Sequence, residues 1–330
     1  MKHFRLDKTA AWLLGLVLLV VRAGWAGGVP AVSPTFDAAR VTWRHLLYQA
    51  SNSMVEVTTK VDLTKMPAAR AQRDFVASPR GTPFAAAGDE VFQLDVDTAI
   101  NPTFSSKVQV AACVWFSPED GTALQRLQIR LGEDDYKRWF RFTREGVYRL
   151  QKEPLDTKEA AKPPRQWRKV KEHFYPYGIK DCNAARISEV SVLIYMLSAA
   201  PISEHMKPMT VCLFGKRALH RVQIRVDGTE QVEFDYVQRD GAAAKRKRGS
   251  TKAFRIVVEP QSSGADNAMD EEFSFLGFQK DIVVYLDPGT RVPLQISSTV
   301  PGAGRVSLPL REVTRATAAG SSLDSSGCPD

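Results

Sequence analysis

The feature that most restricts how this chain can fold is a two-residue alternation of apolar and polar side chains, repeated in segment after segment. Val55, Val57, Val61 and Leu63 alternate with Glu56, Thr58, Lys60 and Asp62, and Phe92, Leu94 and Val96 alternate with Gln93, Asp95 and Asp97. That period puts apolar groups on one side of an extended chain and polar groups on the other, which is the mark of a half-buried strand. Further strand-like runs lie at 108–116, 125–131, 138–142, 147–150, 219–226, 231–237, 253–258, 282–286, 292–298 and 305–313. Turn-forming residues separate many of them, at 117–121, 144–146, 227–228 and 287–289, so neighbouring strands are expected to pair antiparallel.

One segment reads differently. Residues 187–199 place Ile187, Val190, Leu193, Ile194 and Leu197 at helical spacing, while Val192, Tyr195 and Met196 carry apolar surface most of the way round. A helix apolar on nearly all sides belongs in an interior. Ser188 is its expected N-cap, and Pro201, which lacks an N–H, its stop. The fold expected is therefore mainly β: a curved antiparallel sheet or partly open β-barrel with one buried helix, at about 187–199, in its concavity. Residues 41–50 fit either a short helix or an opening strand. The stretch 67–88 is expected as a loop or poorly ordered insertion, 154–164 as a polar excursion, and 167–175 as one more strand.

The N-terminus carries a second strong pattern. Lys2, Arg5 and Lys8 precede the apolar run 10–21, and Gly24 and Ala26 follow it. This is the layout of an export signal cleaved near Ala26, and the run is shorter than the about twenty residues a membrane-crossing helix needs. The expected organisation is a signal peptide at 1–26, a flexible lead-in at 27–40, a single antiparallel β domain at 41–315 and a disordered tail at 316–330. The expected location is the periplasm, with no transmembrane span left after cleavage. Removing the leader's four basic residues and one acidic residue lowers the formal charge from +8 to +5. Such a surplus favours encounters with anionic surfaces but names no partner; nucleic acid is not expected as one outside the cytoplasm. The four cysteines show no CxxC spacing. Cys182 and Cys212 flank the helix and form the candidate disulfide of an oxidising compartment, with two buried thiols as the alternative. Cys328, in a Gly/Ser tail, reads as a free thiol.

Catalytic arrangements are hard to find. His45, His173, His205 and His220 stand apart, with no HExxH and no GxSxG. The acidic runs 133–135 and 270–272 lack the spacing of a calcium loop and read as solvated faces, so neither a metal nor a cofactor is expected. Lys245, Arg246, Lys247 and Arg248 form the densest charge in the chain. Placed between two strands, they are expected at a hairpin tip, either simply solvated or touching anionic lipid head groups. Aromatic residues gather in the middle third. Trp139, Phe142, Tyr148 and Trp167, with Leu193, Ile194 and Leu197, are the candidates for lining a hollow between sheet and helix; ordinary core packing is the plainer reading.

The apolar helix, the 209–226 segment with its hairpin, and the closing run Val284-Tyr285-Leu286-Asp287-Pro288-Gly289-Thr290-Arg291-Val292-Pro293-Leu294 together resemble exported bacterial proteins of the domain-of-unknown-function 3108 family. That resemblance implies no catalytic set. It implies a shape similar to the partly open β-barrels of periplasmic lipoprotein carriers, in which helices plug a sheet that can hold acyl chains. The expected role is a non-enzymatic one: binding a hydrophobic or amphipathic ligand, lipid or lipoprotein-like, or an envelope partner. The alternative is a structural or assembly factor of the cell envelope that works by surface contacts without a ligand cavity.

Overall fold

The computed structural model describes residues 35–51, 55–102, 107–131, 135–178, 182, 186–261, 273–300 and 304–316. The expected signal peptide, most of the tail and Cys328 therefore lie outside the described residues. The alternating runs all become strands: β1 Trp43–Ser51, β2 Val55–Pro67, β3 Glu90–Pro102, β4 Val108–Phe116, β5 Ala123–Leu131, β6 Tyr136–Phe142, β7 Gly146–Glu153, β8 Lys169–Pro176, β9 Ile187–Glu189, β10 Met209–Phe214, β11 Leu219–Asp240, β12 Ala243–Gln261, β13 Ile282–Leu286, β14 Pro293–Val300 and β15 Gly304–Arg315. They form one curved sheet in the order β8-β7-β6-β5-β4-β3-β2-β1-β15-β14-β13-β12-β11-β10-β9. Two antiparallel meanders, β1 to β8 and β10 to β15, are thus joined where β1 pairs with β15.

Two pairings depart from the antiparallel expectation. The short β9 runs parallel to β10, and the far end of β11 runs parallel to β15 through Val237 to Arg239. The second of these closes β11 to β15 into a ring, because β11 also pairs with β12 at the start of the series. Asp227-Gly228 is the local cause. The expected turn there is instead a bulge: Gly228 adopts a φ of +76°, the register shifts between Val226 and Thr229, and the strand bends and continues. The chain reverses only beyond Asp240, at Gly241.

The buried helix is present but shorter than expected. Ile187, Ser188 and Glu189 are β9, paired with Cys212, Leu213 and Phe214; a single 3-10 turn, Val190–Val192, follows, and the α-helix proper is Leu193–Ala199. Glu189 rather than Ser188 is the side-chain cap, and it caps the 3-10 turn, accepting from the Ser191 amide at 2.6 Å; the α-helix itself starts after Val192 without a side-chain cap. β-branched Ile187, Val190 and Val192 fit extended or tight backbone better than an α-helical turn, and a partner strand was at hand. Leu193, Ile194, Tyr195 and Leu197 are completely buried, each hydrocarbon side chain withdrawing about 1.5–3 kcal/mol of apolar surface from water. Tyr195 lies among Phe36, Phe92 and Phe116 and donates its hydroxyl to the Pro118 carbonyl at 2.8 Å. Trp43 Nε1 donates to Ser198 Oγ at 3.0 Å, fastening the helix to β1. Gly121, with a φ of +71°, leaves room for Met196, whose Cε a side chain there would overlap.

Several connections are more ordered than their composition suggested. Of the lead-in, residues 35–40 are anchored rather than flexible: Phe36 is buried and its amide donates to the Glu119 carbonyl at 2.9 Å. Residues 67–88 are not a loose insertion either. They start with a short helix, Ala68–Ala71, and bury Phe84, while Phe75 packs on Trp115 and Gln125 bonds to the backbone of Asp74 and Val76. Trp167 precedes β8 and is buried, donating to the carbonyls of Glu159 and Lys162. Cys182 and Cys212 form a disulfide that spans 30 residues and anchors the segment leading to β9 against β10. Cys113 is also disulfide-bonded.

Two tests follow from this architecture. Replacing Cys182 and Cys212 together by alanine should lower unfolding stability by about 3–4 kcal/mol, the loop-closure value for such a span; urea titration of both proteins under non-reducing conditions would read it. Burial pushes the Asp95 carboxyl up to about 7, a rise that the Gln93 amide opposes and the neighbouring Asp62 charge assists. The folded state then holds a proton that the unfolded chain releases, so stability should fall as pH rises from about 4 to about 7. Asp95→Asn should flatten that window and make the protein more stable than the parent at pH 8, as denaturant midpoints at pH 5 and pH 8 would show.

Candidate functional site

The alternation in β3 to β8 produces two very different faces, and strand register shows what each carries. Three lateral rows cross the concave face. The first runs Thr98, Val110, Arg130, Tyr136; the second Val96, Ala112, Gln128, Arg138, Gln151, Lys171; the third Leu94, Val114, Arg126, Phe140, Arg149, His173. Read across the strands, the face is apolar on β3 and β4 and cationic from β5 onward. Below these rows Phe142, Val147 and Tyr175 continue the face, where Phe214 of β10 packs on Phe142 and Tyr175.

A groove of about 250 Å³ lies where the apolar and cationic parts meet. Val96, Ile100, Val110 and Ala112 form one wall, Arg130 and Tyr136 the other, and the turns at Gly215 and Leu276 lie across from them. Its floor is a buried ion pair. Arg126 Nη1 donates to Glu189 Oε1 at 2.8 Å, both side chains being about 95% buried at 6% and 4% exposure. The same guanidinium donates to the Gly215 carbonyl and lies over the Phe140 ring at 3.9 Å. Since β9 rests against β5, this pair ties the last strand of the sheet to its middle.

The other arginines are held by rings more than by carboxylates. Arg138 stacks on Tyr136 at 3.5 Å and donates to Gln151 at 2.7 Å; Arg149 lies over Tyr175 at 5.4 Å. Burial, partly offset by Tyr136, and then the nearby charges of Arg149 and Arg126 lower the Arg138 pKa from its ordinary value. The Nε atoms of Arg130 and Arg149 are shielded from solvent and donate to no atom of the described residues. Glu153, at the margin, is taken up by Lys169 and Lys171 at 2.8 and 2.7 Å.

A larger depression, of about 440 Å³, lies over β11 to β13. Four of its charged residues pair among themselves, Arg225 with Asp227 and Glu259, and Arg255 with Asp227; Lys280 and Asp281 also line it.

None of the seven residues expected to line a hollow lines the groove. Phe142, Leu193, Ile194 and Leu197 are fully buried core, Tyr148 and Trp167 are buried, and Trp139 lies on the opposite face, above the Lys137 ammonium at 5.2 Å. The helix residues are packed into the core, and the groove lies beside them against β3 to β6. Lys245 to Arg248 are not at the hairpin tip. They belong to β12, opposite Gln238, Val237, Tyr236 and Asp235, with Arg246 bound to Asp235 at 2.6 Å; β12 is largely exposed along this run, which tolerates the charges. The residues missed by the sequence reading are Arg126, Gln128 and Arg130, which alternate with Leu127, Ile129 and Leu131. The alternation was visible, and the arginines recurring at 138 and 149 in neighbouring strands were the available signal.

No protein-family model, curated protein or solved structure matches the chain. The geometry of the groove carries the functional reading.

The buried pair gives a direct check. Glu189→Gln leaves Arg126 charged and uncompensated, and should cost about 3–5 kcal/mol of stability in urea unfolding. Arg130→Gln, which removes a cation with no carboxylate partner among the described residues, should stay within about 0.5 kcal/mol of the parent.

Proposed function

We propose that this protein is an exported, periplasmic, non-enzymatic binder of a hydrophobic or amphipathic ligand, seated along the concave face of its open sheet. The single observation that carries the reading is the groove on the concave face, whose one wall is aliphatic and whose other wall is polar. Ligand pockets join apolar lining to a few placed polar groups in this manner. The Cys182–Cys212 disulfide supports an oxidising compartment, in keeping with the leader pattern at residues 1–26. The resemblance to the domain-of-unknown-function 3108 family supports the same role through its expected shape. Among the described residues no helix is long and apolar enough to cross a membrane.

An envelope assembly factor acting by surface contacts is the second reading, favoured by the β11–β12 ribbon. Lys245 and Lys247 share a face there with Gln238 and Tyr236 and have no carboxylate partner among the described residues.

Solvent extraction of the full-length protein, purified from the exporting cell, followed by mass spectrometry should release an acyl-chain compound. Ala112→Trp, which fills the groove, should reduce the recovered amount at least about fivefold with the thermal midpoint little changed, whereas Lys245→Glu with Lys247→Glu should leave it unaltered. Equal recovery from the groove-filled variant would overturn the first reading, and loss only in the ribbon variant would favour the second.

A further inference from the structure

Resting on the binding role above, we infer that the ligand is an anionic lipid, with an acyl chain in the groove and its negatively charged head group held by Arg130, Arg138 and Arg149. The geometry separates the two ends of such a molecule. Val96, Ile100, Val110 and Ala112 offer hydrocarbon, and the volume of about 250 Å³ is below the about 300–1,000 Å³ of pockets that enclose a whole small ligand. It accommodates part of one chain and leaves the polar end outside, on the cationic rows.

Those rows are built for an anion. Arg130 stands at the groove wall and opposite Tyr136, on whose ring Arg138 stacks, and Arg149 follows one strand further on. Stacking fixes the plane of a guanidinium; Arg138 donates its Nε–H to Gln151, and its two terminal nitrogens remain to meet carboxylate or phosphate oxygens. Arg126 already has its counter-ion in Glu189. Arg130 and Arg149 have none among the described residues, and their Nε donors are shielded and unmet. Like charges gathered on one half-buried face repel one another, and an incoming anion relieves that repulsion while the aliphatic wall takes up the chain. A neutral lipid would leave the donors unmet. A free anion would leave the aliphatic wall wet.

Binding to the purified full-length protein can be followed by displacement of a fluorescent fatty-acid analogue. The probes are lysophosphatidylglycerol and lysophosphatidylcholine of equal chain length, and inorganic phosphate. The anionic lysolipid should bind at least about tenfold more tightly than the zwitterionic one, the factor one charge-assisted hydrogen bond supplies, and millimolar phosphate should displace little of the analogue. Arg130→Gln with Arg138→Gln should abolish the head-group preference while keeping the weaker, chain-driven binding. Arg130→Lys with Arg138→Lys, which retains charge and serves if the first pair fails to fold, should lower the preference but not remove it. Equal affinity for both lysolipids, unchanged by the arginine variants, would overturn the head-group inference and leave the hydrophobic binding role standing. Displacement by phosphate as effective as by lysolipid would overturn the acyl part. Failure of both lysolipids to bind would overturn the inference together with the role it rests on.

Discussion

A sheet that curves must have something inside the curve, and the whole molecule turns on what fills it. At the lower rows of the concave face buried side chains pack together: the Leu193–Ala199 helix, Phe214 and the aromatic cluster around Tyr195. At the upper rows the filling stops, and β9 with the turns at Gly215 and Leu276 bridges an unfilled stretch. The groove is the boundary between these regimes. Its position follows from the length of the helix, which at seven residues spans only about 10 Å.

The Arg126–Glu189 pair works at that boundary. Buried pairs seldom add net stability, because desolvating two charges offsets their attraction, and their best-attested use is to specify one arrangement over others. Here the pair fixes the register of a three-residue strand whose own hydrogen bonds are few. Glu189 also caps the turn that leads into the helix, so one carboxylate sets strand, helix start and groove floor together. An uncharged residue of the same volume could fill the space without holding β9 in place over β5.

The strands were legible because alternation over five or more residues has one simple explanation, and the helix because Leu193 to Leu197 is apolar at every angle. What escaped was any choice among structures that the local chain permits equally. Asp227-Gly228 serves a tight turn or a bulge, and only the far partner, β15, decides for the bulge. Ile187 to Glu189 suits the end of a helix or a short strand, and the availability of β10 decides for the strand. In β5 the period separates Arg126, Gln128 and Arg130 from Leu127 and Ile129, yet hydrophobicity misdirects the assignment of inside and outside, since both faces are buried and the arginines face inward. The candidate lining residues lie away from the groove for a related reason: large apolar side chains, aromatic or aliphatic, are more apt to close a space than to leave one. The disulfide was legible from the placement of its cysteines on either side of the helix.

The junction of the two meanders has a consequence for how the molecule comes into being. Trp43 lies opposite Arg315, so the first strand of the described residues waits for their last. Until the C-terminal portion arrives, β1 presents a row of unsatisfied backbone groups, and the apolar face of the opening meander has no lid. Contacts this distant in sequence are slow to form and leave sticky intermediates exposed. A chain so arranged cannot close its sheet early: the seam forms only once both of these strands have been made.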